Sequence, residues 1–135
     1  MSTLKSVLLC LLFITTTQAN HLQRLAKDHL LVFFFASTCK YCHQFAPIVQ
    51  SISKEYGFTI FDFSFDQKPM PGFENPGAVM QSIYDTYYGN RPAVAPVLLL
   101  QNINTLEFYR IAQGDITKTA VLKKLNEKAE AIYGQ

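Results

Sequence analysis

Beyond its first nineteen residues, no stretch of this 135-residue sequence is apolar enough to cross a bilayer, which takes about 20 consecutive apolar residues. Basic clusters are missing too. Twelve Lys and Arg against ten Asp and Glu leave a formal charge of only +2. With no basic stripe, the electrostatic footprint of a nucleic-acid binder is absent, and no nucleic-acid partner is expected. There is no repeat or low-complexity segment, and neither histidine nor carboxylate patterning suggests a hydrolase. Cysteine is scarce, with Cys10, Cys39 and Cys42 the whole complement. The chain has no second C-x-x-C and no H-x-x-x-H, so a zinc site on Cys39 and Cys42 would have to draw its remaining ligands from His21, His29 and His43. No metal and no cofactor are expected.

The first nineteen residues have the three regions of a secretory leader in order. Lys5 gives a positive start, Val7 to Ile14 an apolar core, and Thr17-Gln18-Ala19 a small-residue cleavage site. That order favours a leader over a buried N-terminal strand or helix. Leu9 before Cys10 is too large for lipid attachment, and cleavage there would halve the apolar core. Residues 1–19 therefore read as a signal peptide and residues 20–135 as one domain, large enough for a real core. Cys10 leaves with the leader. An exported chain then reaches a compartment where disulfides persist, holding only Cys39 and Cys42. Two cysteines three residues apart close a tiny loop and staple almost nothing, so their purpose is chemical rather than structural.

The remaining pattern alternates helices and strands. Asn20 is placed to cap a helix through Asp28. Leu30 to Ala36 is a Phe-rich apolar run, the mark of a strand buried on both faces. A helix follows from about Cys39 to Tyr56, with Pro47 expected to kink it and Gly57 to end it. Phe58 to Phe65 reads as a second strand, and 66–77 as a loop rich in proline and glycine. Ala78 to Tyr88 reads as a helix, Val97 to Gln101 and Leu106 to Ala112 as a hairpin, and a last helix capped by Asp115 or Thr117 runs to about Tyr133. A parallel crossover plus a hairpin predicts an α/β fold, a mixed central β-sheet flanked by helices. Met70, Phe73, Tyr84, Tyr87 and Tyr88 either pack the loop onto the sheet or form a lip beside the cysteines. The usual place of aromatics in cores favours packing.

Cys39-Lys40-Tyr41-Cys42 follows a buried strand and opens a helix, and that context strengthens a weak motif. At the helix start, unpaired N–H groups and the positive end of the dipole stabilise a thiolate on Cys39. The thiolate is the attacking species, so this favours reactivity at neutral pH. Cys42, one turn further in, suits a resolving thiol. Lys40 adds a positive charge, and His43 adds another when protonated. Tyr41 completes the dipeptide between the cysteines. His43 reads equally well as a plain helix-surface residue, and His21 and His29 as surface or helix-end residues. Val94-Ala95-Pro96 stands just before the third strand, where a proline can be a simple entry residue.

The strand, Thr38-Cys39-Lys40-Tyr41-Cys42-His43, the second strand, Val94-Ala95-Pro96 and the terminal hairpin and helix together resemble the thioredoxin superfamily. Thr38 to His43 is similar to the T-C-G-Y-C-H of DsbC-type periplasmic disulfide isomerases. Tyr41 to Phe45, Pro47, Glu55-Tyr56-Gly57-Phe58 and Asn104 to Glu107 resemble more closely still the TrbB-type thiol–disulfide isomerases of F-type conjugative transfer systems. This resemblance implies a thioredoxin-like fold and a periplasmic isomerase or oxidase for disulfides of pilus-assembly proteins. Its implied partners are cysteine-containing clients and a membrane redox protein that recharges the site. It implies Cys39 as nucleophile, Cys42 as resolving thiol, and Ala95-Pro96 as a cis-proline turn that pairs with extended substrate.

Three departures qualify the resemblance. Phe33 stands where thioredoxin has a buried acid, which weighs against a general reductase. Ala95 replaces the Thr that DsbC has before its proline. About ten residues precede the first strand after the expected cleavage, too few for the DsbC dimerisation domain, so a monomer is expected. The alternatives to an isomerase or oxidase are a non-catalytic chaperone or interaction module of the conjugation machinery, and a dedicated reductase.

Overall fold

The computed structural model describes residues 19–134; apart from Ala19, the expected leader lies outside the described residues. The first described element is helix α1, over residues 19–28. Asn20 lies inside it and is not its cap. Strand β1, His29–Phe35, follows at once. Leu31, Phe33 and Phe35 face one core cluster and Val32 and Phe34 the other, all fully buried. A strand apolar on both faces belongs at the centre of a sheet covered on both sides, and β1 is the middle strand of a five-stranded sheet.

Helix α2, Lys40–Tyr56, buries Cys42, Phe45, Ala46, Val49 and Ile52. It continues through Pro47, whose missing N–H leaves only the His43 carbonyl without its helical partner. Gly57 closes it at φ 86°, and its N–H donates to Ser53 O at 2.8 Å. Strand β2, Ile60–Ser64, is shorter than the predicted Phe58 to Phe65. It pairs with β1 in parallel, with Phe33 opposite Asp62 and Phe35 opposite Ser64. Met70 and Phe73, in the loop after β2, are buried and bridged to each other. That loop therefore packs onto the sheet rather than forming a lip.

The predicted helix from Ala78 is divided. Gly77–Ala78 is strand β3, added in parallel to β2, and helix α3 is only Gln81–Tyr87. Strands β4, Val97–Asn102, and β5, Phe108–Gln113, form the antiparallel hairpin. Leu106, predicted to start the last strand, has φ 65° and belongs to the turn. Helix α4, Lys118–Tyr133, is capped by Thr117, whose Oγ1 accepts from Ala120 N at 3.2 Å. Thr117 rather than Asp115 is the cap because its side chain reaches the third residue of the turn.

Residues of α1, α2 and α4 share one core cluster on one face of the sheet. Tyr88 and side chains of α3 share the cluster on the other. Among the described residues, no helix is long and apolar enough to cross a membrane. One consequence of the topology positions the site. Because β4 runs antiparallel to β1, with Val97 opposite Phe34, the residues after β1 and those before β4 meet at the same end of the sheet.

Candidate active site

Cys39 is the N-cap of α2, with φ −78° and ψ 115°. Its Sγ accepts from the Cys42 backbone N at 3.2 Å. The sulfur therefore occupies the place where a capping oxygen would sit, among the unpaired N–H groups of the first turn. Cys39 and Cys42 are joined by a disulfide. Cys42 is fully buried, whereas Cys39 is only partly covered. That asymmetry gives the incoming thiol or disulfide access to Cys39 and not to Cys42. Lys40 is exposed, and Tyr41 is 50 % exposed.

The structure brings residues 95 and 96 to this pair. The Ala95–Pro96 bond is cis, and the Ala95 carbonyl oxygen lies 3.7 Å from Cys39 Sγ. Two further bonds hold the segment. Tyr88 Oη donates to Val94 O at 2.8 Å, and Gly114 N donates to Pro96 O at 3.0 Å. Tyr88 is buried, and that burial keeps its hydroxyl protonated well beyond the usual range. A groove of about 280 Å³ opens beside the pair, between Tyr41, Phe45 and Ile48 of α2 and Gly114, Asp115 and Ile116 of the β5–α4 turn.

His43 is on the surface, but its ring is engaged. Nε2 is 2.5 Å from Ser37 O, and a carbonyl can only accept, so Nε2 carries the proton. Ser37 is held from its other side as well. Its N–H donates to both oxygens of Asp66, at 3.0 and 3.1 Å, and its Oγ donates to Asp66 Oδ2. Ser64 Oγ donates to Oδ1 at 2.7 Å. These bonds from the Ser37 side chain, the Ser64 side chain and the Ser37 backbone hold the Asp66 carboxyl far below the usual carboxylate range.

Sequence reasoning missed three residues here. Tyr88, expected to pack the loop, is also the donor to Val94. Asp66, in the predicted loop, is the partner of Ser37. Asp62, the register partner of Phe33, puts a carboxylate on the neighbouring strand, on the Phe33 face of the sheet. Its Oδ2 is buried and has no hydrogen-bond partner among the described residues, and burial raises its pKa. His21 and His29 lie elsewhere: His21 approaches Glu130 at 3.6 Å, and His29 Nδ1 bonds Asp28 at 2.6 Å. Among the described residues there is no group of three or more His, Cys, Asp or Glu able to hold a metal ion.

Comparison with known proteins follows the same lines. A family model described as "TraF: F plasmid transfer operon protein" matches residues 14–126. Protein TrbB of Escherichia coli (strain K12) is 33% identical over 87 residues, covering 64% of this chain and 48% of TrbB. The chain thus spans about half the length of that relative. Thioredoxin-like protein slr1139 of Synechocystis sp. (strain ATCC 27184 / PCC 6803 / Kazusa) is 30% identical over 103 residues, covering 76% of this chain and 81% of the other. Among solved structures, the pneumococcal exposed lipoprotein thioredoxin (Etrx1) of Streptococcus pneumoniae strain TIGR4 superposes with a TM-score of 0.53 at 18% identity. The match covers 78% of this chain and 89% of that one. At that identity the structural likeness speaks for the thioredoxin fold alone.

Proposed function

The chain belongs to the TraF family of F plasmid transfer operon proteins, as a TrbB-like member of the thioredoxin superfamily, and on that footing we propose that it is a thiol–disulfide oxidoreductase of isomerase or oxidase type. Its clients would be cysteine-containing proteins of the conjugative transfer apparatus, including those of pilus assembly. The expected leader fits action in the periplasm, as a monomer recharged by a membrane redox partner. One observation carries the reading: a partly exposed Cys39 at a helix N-terminus, paired with a fully buried Cys42, facing the Ala95 carbonyl at 3.7 Å.

In the reduced form, Cys39 thiolate attacks one sulfur of a client disulfide. A Cys39–client disulfide forms and the other client sulfur leaves as a thiolate. In isomerisation, a different client thiolate attacks the client sulfur of that mixed disulfide. Cys39 thiolate is regenerated and no net electrons move. If Cys42 thiolate attacks Cys39 Sγ instead, the Cys39–Cys42 disulfide forms and the client leaves with two thiols. Oxidation of a dithiol client is that sequence reversed. Lys40 favours the Cys39 thiolate by charge, His43 is the proposed second tuning residue, and Tyr41 flanks the groove in which client backbone would lie. The Ala95 backbone is placed to pair with an extended client segment.

The test is reshuffling of scrambled ribonuclease by the reduced domain. The intact chain is expected to restore ribonuclease activity, Cys39→Ser to fall to the uncatalysed rate, and Cys42→Ser to retain isomerisation while losing net oxidation. A Cys39→Ser variant that works at the wild-type rate sinks the reading. Complementation of a transfer-deficient strain by Cys39→Ala/Cys42→Ala would point instead to a non-catalytic module.

A further inference from the structure

Four bonds converge on the Asp66 carboxylate, two from the Ser37 N–H and one each from the Ser37 and Ser64 hydroxyls. Asp66 follows β2, while Ser37 lies in the turn between β1 and α2, 29 residues away. That turn is the short link that delivers Cys39. Cys39 N donates to Ala36 O at 3.1 Å, closing it, and His43 N donates to Cys39 O at 3.2 Å, opening the helix. Ser37 sits between these two bonds. Its carbonyl is taken by His43 Nε2, its N–H and hydroxyl by Asp66. No other side chain holds the turn from outside α2 among the hydrogen bonds of the described residues.

Resting on the exchange reading above, we propose that Asp66 is a positioning residue for Cys39: by gripping Ser37 across the sheet end, it fixes where Cys39 Sγ stands relative to the first turn of α2. The reason is geometric. Stabilisation of a thiolate by a helix N-terminus falls off within one turn and depends on the sulfur lying in line with the free N–H groups. The Cys39 Sγ–Cys42 N contact of 3.2 Å reports that alignment. A turn freed from Asp66 keeps its own Cys39 N–Ala36 O bond but loses its anchor to β2.

The role has a signature that separates it from two simpler ones. A carboxylate acting only as a nearby negative charge would raise the Cys39 pKa, so removing the charge would lower it. A carboxylate acting only as a structural brace would change stability and nothing at the sulfur. A positioning carboxylate does the opposite of the first: losing it raises the Cys39 pKa, because the thiolate loses its N–H groups.

The experiment is the pH dependence of iodoacetamide alkylation at Cys39 in the fully reduced full-length domain, read by mass spectrometry, for wild type, Asp66→Asn, Asp66→Glu and Ser37→Ala. Asp66→Asn removes the charge, and Asp66→Glu keeps it but displaces it. Both are expected to raise the Cys39 pKa by about half a unit, a roughly threefold loss of thiolate below the pKa. Ser37→Ala keeps its N–H and should shift the same way by less. Its shift decides the matter should the Asp66 variants not fold. A lowered pKa in Asp66→Asn with no change in Asp66→Glu overturns the proposal in favour of charge alone. Wild-type values in all three, with or without a lower melting temperature, also overturn it. The readout does not depend on a client. A wild type that fails to reshuffle ribonuclease yet shows these shifts counts against the function proposed above and not against Asp66.

Discussion

Tyr88→Phe deletes one oxygen and keeps the ring. That ring is 3 % exposed and packs edge-on to Phe34 at 5.1 Å, edge-on to Phe65 at 5.5 Å and flat against Tyr84 at 5.0 Å. None of those contacts needs the hydroxyl. The hydroxyl donates to Val94 O at 2.8 Å, so its loss leaves one carbonyl of a half-buried residue unpaired. A buried acceptor stripped of its donor costs about 1–3 kcal/mol, and partial exposure at Val94 places this case near about 1 kcal/mol. In a domain of this size that lowers the melting temperature by about 4 °C. Tyr88→Ala, which also removes the ring, should cost about 3–5 kcal/mol. A second readout comes from titration. Burial raises the Tyr88 pKa above its ordinary 10.0. Its share of stability is therefore full below pH 10 and is lost as pH rises through the raised value, so Tyr88→Phe should resist alkaline unfolding better than wild type. Because Val94 leads into Ala95, a loosened segment should raise KM for a disulfide client while leaving kcat nearly unchanged. Urea unfolding and ribonuclease reshuffling measure these quantities. A Tyr88→Phe variant within about 0.3 kcal/mol of wild type, or one as damaged as Tyr88→Ala, refutes the reasoning.

Asp62→Asn should stabilise the fold near neutral pH, because the buried, unpartnered Oδ2 is then no longer part of an ionised group. Its pKa is raised by burial, so Asp62 favours folding below its ordinary 3.8 and opposes it once ionised. The gain over wild type should grow from about pH 4 to about pH 7 in urea titrations, and a gain that shrinks over that range would contradict the assignment. Lys118 bonds Glu55 at 2.9 Å and Ser51 Oγ at 2.8 Å, but the charged side chains are 38% and 50% exposed. Lys118→Ala should therefore cost less than about 1 kcal/mol. A loss of about 2 kcal/mol or more would mean the pair is better shielded than its exposure suggests.

What was legible in the sequence shares one property: it is written within one element. The both-faces burial of β1 is visible as an uninterrupted run of Phe and Leu. The Cys39-x-x-Cys42 spacing and its place after a strand are visible in a handful of residues, as are the apolar stripes of α2 and α4. What was not legible depends on which element lies beside which. Gly77–Ala78 is too short for any period, and it is a strand only because Phe63 and Ser64 offer an open edge. Leu106 carries a strand-like side chain, yet Gln101 Nε2 and Asn102 O hold its backbone in the turn. Asp66 could have been suspected from its place with Ser64, two small polar groups closing an aromatic strand, but its partner lies 29 residues upstream.

The carboxylate missing from β1 shows the same division with a chemical consequence. Phe33 correctly reports that β1 carries no carboxylate there, and its fully buried ring joins Phe35, Phe45 and Phe73 in an apolar floor. Sheet register then places Asp62 beside Phe33, which no local pattern announces. Cys42 shares its buried cluster with these rings, and the carboxylate in register with Phe33 belongs to the neighbouring strand. An apolar floor penalises a buried Cys42 thiolate, whereas Cys39 stands at a helix N-terminus with Lys40 beside it and favours one. Under the exchange proposed above, those surroundings suit Cys39 to attack and Cys42 to resolve. On the isomerase reading proposed above, a slow second thiol would give a bound client time to rearrange its own disulfides before release, so the aromatic surroundings of Cys42 favour that direction alongside the motif.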